Sequence, residues 1–371
     1  MIISIDCRFA TKSPTGIGKI FMDATRALIT NIPDWKFLLI SPHDLVETNL
    51  SDLLDRANVI YQCCPNKILK KDKIWYNTRF LYYSYKYHAD LMWTGIPEEP
   101  IFPTPGIKRM ILAHDVVALE YSKTQDSKGK WTGLLTFSSS IKNADYVWCN
   151  SHYTFGKVNQ YFPSRKAKET VVGGSCSDFF KVLNLSIEEI KSIKESFGIK
   201  DKMLLFVGSL EPRKNLAFML ELMKSIYKER QDIQLLVVGG KGWKNSDIFN
   251  IVNSSDYPKD STIFANYIDD DTLVKLYNLA NCYISTSLNE GLGLPQIEAM
   301  KCGCPVVTAH NSAMIEVAEN RCATISGWDP KVWISEIYKN MRDVPNPKFF
   351  DLRDYDWQQI AKNVKDYIER N

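Results

Sequence analysis

Two carboxylates separated by seven residues frame the run Glu290-Gly291-Leu292-Gly293-Leu294-Pro295-Gln296-Ile297-Glu298. The run follows an apolar stretch, Cys282–Ser285, and Pro295 stands where a first helical turn accepts proline, so the pattern reads strand, glycine turn, helix. Gly291 and Gly293 permit close backbone approach and place amide N–H groups at a helix N-terminus, a natural position for oxyanions or sugar hydroxyls. Glu290 falls in the loop and Glu298 about one turn inside the helix. The two acids can therefore address one elongated ligand from different ends. A glycine turn with two solvated glutamates is the plain alternative.

A second strand–turn–helix pattern, Gly208-Ser209-Leu210-Glu211-Pro212-Arg213-Lys214-Asn215, brings two adjacent cations to the mouth of a sheet. Arginine there can grip phosphate oxygens bidentately, which suits a diphosphate. Gly239-Gly240-Lys241-Gly242 ends another strand and would let a nucleobase approach the backbone, or forms a simple turn. Tyr267-Ile268 stands ahead of an acidic helix start and would line the same base. Nearer the N-terminus, Thr15-Gly16-Ile17-Gly18-Lys19 reads as a glycine turn before a helix, short of the full dinucleotide fingerprint. His114-Asp115 ends a strand at Met110–Ala113, where a side chain would point into an interdomain cleft or pack as a structural group. No Gly-x-Ser-x-Gly elbow is present, and His43, His88, His114, His152 and His310 form no metal pair at helical spacing.

The elements that must position these residues alternate in type. Strands are expected near Ile2–Ile5, Lys36–Ile40, Val59–Cys63, Leu91–Trp93, Met110–Ala113 and Tyr146–Asn150, then Met203–Val207, Gln234–Val238, Thr262–Ala265, Cys282–Ser285, Pro305–Thr308 and Ala323–Ile325. Helical patterns lie between them at Ile17–Thr30, Asp72–His88, Trp131–Lys142, Ser151–Tyr161, Asn215–Glu229, Asp270–Leu279, Pro295–Lys301 and Pro330–Met341, with a last one at Trp357–Arg370. Such alternation implies an α/β fold of parallel sheets with helices on both faces, binding ligands beyond the carboxyl ends of the strands. At 371 residues the chain suits two domains with separate cores.

The net charge of +3 is too small to imply a nucleic-acid partner, so any basic site must be local. Nine cysteines, an odd number scattered through apolar stretches, read as buried small hydrophobes in a reducing, cytoplasmic compartment. Cys302 and Cys304 lack the partner pair a structural zinc needs. Met1–Ile5 has no basic n-region and reads as a first strand rather than a signal peptide. No apolar run reaches the length of about eighteen residues that spans a bilayer.

Taken together, these residues resemble retaining glycosyltransferases of the GT-B fold, family 4, of the bacterial mannosyltransferase-like, glycan-building type. The Glu290/Glu298 pair combined with Arg213-Lys214 is the most specific part, and the resemblance runs over nearly the whole chain. It implies two Rossmann-like domains facing a cleft: an acceptor-side domain at 1–182, a nucleotide-sugar domain at 183–354, and a helix at 355–371 crossing back to the first. It further implies that Glu298 holds the ribose hydroxyls and Glu290 the sugar hydroxyls, helped by the amides of Gly291, Leu292, Gly293 and Leu294. Arg213 and Lys214 would bind the diphosphate, with Gly208, Gly240, Tyr267 and Ile268 around the donor and Gly16 and Gly18 against its phosphates. His114 and Asp115 would stand near the transferred sugar and the acceptor. Metal and other cofactors would not be needed.

The donor implied is GDP-mannose or a UDP-sugar. The acceptor would be a glycan or lipid-linked oligosaccharide in surface polysaccharide (O-antigen) synthesis. An epimerase of the same fold and a non-catalytic nucleotide-sugar-binding subunit are the alternatives. Two motifs depart from the family: Gly173-Gly174-Ser175-Cys176 replaces its usual Asn-Gly pair, and no glycine follows Glu316 in Val317–Arg321. Finally, 66–88 interleaves Lys67, Lys70, Lys71, Lys73, Arg79 and Lys86 with Trp75, Tyr76, Phe80, Tyr82, Tyr83, Tyr85 and Tyr87. Such a segment either rests on an anionic membrane at the inner face or packs its aromatic side on the sheet.

Overall fold

The computed structural model describes residues 1–12, 14, 16–65, 72–98, 100–115, 136–240, 246–344 and 346–371. Of the positions singled out above, Thr15, 66–71, 131–135, Lys241 and Gly242 lie outside them. The chain divides into two compact units, Met1–Cys176 with Arg353–Asn371, and Ser177–Leu352.

The first unit is built on a seven-stranded parallel sheet in the order β3-β2-β1-β4-β5-β6-β7. Its strands are β1 Ile2–Asp6, β2 Lys36–Ser41, β3 Val59–Cys63, β4 Leu91–Thr94, β5 Lys108–Ala113, β6 Tyr146–Cys149 and β7 Val171–Val172. Near-continuous apolar runs such as Phe37–Ile40 are fully buried, as strands covered on both faces must be. Chain order reverses between β1 and β4, which opens a crevice at their carboxyl ends.

Gly16 and Gly18 require a correction. They do not form a turn ahead of the helix but occupy the first turn of the helix Gly16–Asn31 itself. A Cβ on Gly18 would lie 2.9 Å from the Phe9 carbonyl oxygen and 2.9 Å from Pro14 Cβ, so the glycine admits the loop after β1. The helix Trp357–Arg370 also belongs to this unit. It buries Trp357, Ile360, Ala361, Val364, Tyr367 and Ile368 at helical spacing. Trp357 Nε1 donates to the Cys176 carbonyl and Tyr367 OH to the Glu169 carbonyl.

Within 72–86 the helix widens into a π-helical turn at Tyr76–Phe80. Trp75, Tyr76, Phe80 and Leu81 face the core, whereas Ile74, Tyr82 and Tyr85 face outward.

The second unit holds a six-stranded parallel sheet in the order β10-β9-β8-β11-β12-β13. The strands are β8 Lys202–Val207, β9 Ile233–Val238, β10 Thr262–Ala265, β11 Cys282–Ser285, β12 Val306–Ala309 and β13 Ala323–Ile325. This is the doubly wound dinucleotide-fold order, with its reversal between β8 and β11. A capping box, Ser186 with Glu189, starts the helix Ile187–Phe197, and left-handed Gly198 ends it. The helix expected from Pro295 begins one residue earlier, at Leu294.

Candidate active site

The turns after β8 and β11 flank the reversal point of the second sheet and grip each other. After β8, Pro212–Lys214 make a single tight turn, and left-handed Asn215 leads into the helix Leu216–Glu229. The Leu288 amide donates to the Arg213 carbonyl at 2.8 Å, and Thr286 Oγ1 donates to the carbonyls of Lys214 and Asn215. Held in this way, the two cations meet the first acid. Arg213 Nη1 lies 2.9 Å from Glu290 Oε2, and Lys214 Nζ lies 2.5 Å from Glu290 Oε1. Arg213 Nη2 also pairs with Glu211 at 2.7 Å, and Nη1 donates to the Asn289 carbonyl. The four charged groups, two acids and two bases, sum to zero.

Glu290 is locked from several sides. Ser287 Oγ donates to Oε1 at 2.7 Å, the Glu290 amide donates to Ser312 Oγ, and the Ala313 amide donates to the Glu290 carbonyl. Burial would raise its pKa, but Lys214 and Arg213 prevail and hold it at about 2, so the group is ionised at any ordinary pH. Ser312 sits at a φ of 49°, costly for a non-glycine residue, and its hydroxyl reaches Glu290 from that conformation. Among the groups the motif reading did not single out are Glu211, Ser287 and Ser312. Serines carry no periodic signal, and only the turn geometry reveals them.

Along the carboxyl edge of the sheet, the turns of β8 and β9 touch backbone to backbone. A Cβ on Gly239 would stand 2.0 Å from the Gly208 carbonyl oxygen, so only glycine fits there. Gly208 itself lies against the Lys214 stem. Gly240 is exposed after β9, while exposed Tyr267 and half-buried Ile268 follow β10. Gly293 ends the β11 turn in a left-handed conformation, and no side chain caps the helix Leu294–Lys301 behind it. Gly291 and Leu292 are buried beside it and Leu294 is half-buried.

Glu298 lies on that helix with only 4% of its surface exposed, and Tyr277 OH donates to its Oε2 at 2.9 Å. Arg213, Lys214 and Glu290 are thus joined in one cluster, and Glu298 stands on the helix that leads away from it.

His114 and Asp115 lie at the carboxyl end of β5 in the first unit. His114 Nε2 donates to the Gly95 carbonyl at 2.6 Å, which leaves Nδ1 as the acceptor of a neutral ring. Burial pushes the pKa down to about 4, the Gly95 bond opposing it. Among the described residues, buried Nδ1 has no hydrogen-bond partner. A lone acceptor of this kind fits a hydroxyl donor from outside the chain.

Residues 188–327, which include both acids and both bases, match the family described as Glycosyl transferases group 1. Over 290 residues the chain is 24% identical to the serotype-specific mannosyltransferase WbdA of Escherichia coli, covering 75% of this chain and 33% of that protein. The chain therefore spans about a third of the length of the curated relatives it matches first. A stretch of 115 residues is 33% identical to the O-antigen chain mannosyltransferase B of Escherichia coli, 30% of each chain. Among solved structures, Anabaena HepE in complex with UDP-glucose aligns with a TM-score of 0.70 at 14% identity, covering 100% of both chains. WaaG, a glycosyltransferase involved in lipopolysaccharide biosynthesis, aligns with a TM-score of 0.67 at 15% identity, covering 100% of this chain and 95% of that one. At such identities the likeness is one of fold.

Proposed function

We propose that this chain, a GT-B fold whose residues 188–327 form a group 1 glycosyl transferase domain, is a retaining hexosyltransferase acting on a nucleoside-diphosphate sugar. The observation that carries the reading is the meeting of Arg213, Lys214 and Glu290 at the reversal point of the second sheet. As the bond between C1 and the diphosphate oxygen breaks, positive charge spreads over the sugar ring and negative charge grows on the phosphate. Arg213 and Lys214 take up that negative charge, already fixed in place by Glu290 and by the gripping turns. The acceptor oxygen bonds to C1 on the face the phosphate leaves, and the acceptor proton passes to the departing phosphate. Ground-state roles follow: Glu290 and the amides of the glycine turn orient sugar hydroxyls, Glu298 takes the ribose hydroxyls, and His114 Nδ1 accepts from a sugar hydroxyl. No metal is required, because two fixed cations do the work a metal would.

Arg213→Ala and Lys214→Ala should each lower turnover by on the order of a hundredfold. Near-normal turnover in both would remove the assigned role. Chelator should leave the rate unchanged. An epimerase of the same fold would release free sugar without an acceptor, so product analysis separates the two activities.

Mannose is the favoured sugar, since relatives matched over 69% to 75% of this chain are named mannosyltransferases, and GDP is the carrier that the family resemblance favours. A UDP-sugar is the second choice. Thermal shift with a panel of nucleoside diphosphates and their sugars decides it. The acceptor is a growing glycan or lipid-linked oligosaccharide of a surface polysaccharide. Nine unpaired cysteines fit a cytoplasmic site for the reaction.

We also propose contact with the anionic inner face of a membrane through 72–86. Outward-facing Ile74, Tyr82 and Tyr85 are flanked there by Lys73, Arg79 and Lys86. The loop carrying Ile101, 76% exposed, and Phe102, 60% exposed, is fastened alongside: the Ile101 amide donates to Asn77 Oδ1 and Tyr85 OH to the Pro105 carbonyl. Basic groups around exposed apolar side chains suit an anionic lipid surface. Flotation with phosphatidylglycerol-containing vesicles tests this; equal binding to neutral phosphatidylcholine vesicles would dismiss it.

A further inference from the structure

Glu298 is buried on the helix Leu294–Lys301, and a carboxylate so placed needs its orientation fixed if it is to present an oxygen to a ligand. Tyr277, from the helix Asp270–Leu279, contacts it with its hydroxyl 2.9 Å from Oε2. Tyr277 is itself wholly buried, its ring set edge-on against Phe180 and Tyr283. Burial, followed by the nearby Glu298 charge, pushes its phenol well above the usual range, so it remains a donor.

The backbone beneath Tyr277 is equally constrained. Arg342 donates through Nη2 to the carbonyls of Tyr277 and Asn278 and through Nε to that of Ala280, which caps the end of the helix carrying Tyr277. Through Nη1 it donates to the Gly303 carbonyl, just past the end of the helix carrying Glu298. A single guanidinium thus ties the two helices together at their C-terminal ends. The tyrosine hydroxyl and the carboxylate face each other across the same pair.

We infer that Tyr277, braced by Arg342, is a positioning residue that sets which way the Glu298 carboxylate presents itself to the ribose hydroxyls of the donor nucleotide. The inference rests on the proposed role of Glu298. It gives that role a structural cause: removing the phenol hydroxyl takes away the contact that orients Oε2 without removing the carboxylate's charge. Discrimination between a ribose and a deoxyribose should then suffer more than affinity for the diphosphate.

The test is a set of calorimetric affinities for GDP and UDP and for their 2′,3′-dideoxy counterparts, measured on the full chain. The nucleotide that binds more tightly is used for the comparison. The wild type should prefer the ribonucleotide by about tenfold or more, the loss expected when hydrogen bonds to a charged acceptor are removed. Tyr277→Phe should reduce that preference to about threefold or less, and Glu298→Gln should set the floor. A tyrosine that only packs would weaken both ligands equally and leave the ratio at its wild-type value, which would overturn the inference. A wild type that does not distinguish the two sugars would instead defeat the role given to Glu298 in the proposed function. A melting curve checks that Tyr277→Phe folds. Should it not, Tyr277→His keeps a ring and a donor at a changed position. The same ratio then decides, a preserved preference again counting against the inference.

Discussion

Glu290 cancels one of the two positive charges beside it, and Glu211 cancels the other. The cluster would therefore meet a diphosphate as a neutral body, with its cations oriented but their field muted. Glu290→Gln keeps the shape and leaves a net charge of about +1. Affinity for GDP or UDP should rise, by about three- to tenfold for a charge removed a few ångströms from phosphate, while turnover falls by on the order of a hundredfold. Opposite signs are the point; calorimetry and rate falling together would contradict this role.

Two groups should also leave separate marks on the pH dependence of stability. Glu290 is held at about 2 against an ordinary 4.5, so its stabilising effect is complete above the unfolded value and is lost as pH falls from about 4.5 toward 2. His114 is held at about 4 against 6.5 by burial, so the unfolded chain takes up its proton first and stability declines as pH falls from 6.5 to 4. Melting curves across pH should show Glu290→Gln flattening the lower window. His114→Gln, which keeps a donor for Gly95, should flatten the upper one.

At the scale of elements, much of the architecture can be read from alternating apolar runs, because buried parallel strands are hydrophobic on both faces. β7 escaped, being a two-residue edge strand with no run to detect. The helix Ser312–Ala318 escaped too, and with it the serine that holds Glu290. Arg213, Lys214 and Glu290 were legible because their charges fall in turns between a strand pattern and a helix pattern, at the carboxyl ends where parallel sheets bind ligands. Tyr277 and Arg342 were not, since a tyrosine in an apolar helix and an arginine after one look like packing and solvent. Gly18 shows what a glycine can also mark: a Cβ there would meet the chain's own loop at Phe9 and Pro14, whereas one on Gly16 would meet nothing within 4 Å among the described residues.

The same logic separates two neighbouring glycines. Gly239→Ala drives a Cβ into the Gly208 carbonyl and should cost about 1–3 kcal/mol while weakening nucleotide binding, as the β8 turn is displaced. Gly240→Ala meets nothing within 4 Å among the described residues and should stay within about 0.5 kcal/mol of wild type. Paired denaturation curves check both.

For the molecule as a whole, the two units are unequal in what they hold and in how the chain closes them. The second unit is a continuous segment, Ser177–Leu352, and carries both acids and both bases. The first joins Met1–Cys176 to Arg353–Asn371, where the helix Trp357–Arg370 lays Trp357 edge-on against Trp148 and sends Tyr367 OH to the Glu169 carbonyl. Trp357→Ala removes a buried indole and should destabilise the first unit by about 3–5 kcal/mol. GDP or UDP at a hundred times its Kd should stabilise the second by about 2.7 kcal/mol. Calorimetric melting of the Trp357→Ala chain should then resolve two transitions, the lower insensitive to nucleotide and the upper raised by it. A single transition that nucleotide moves as one would mean that the two units unfold together and that the last helix stabilises both.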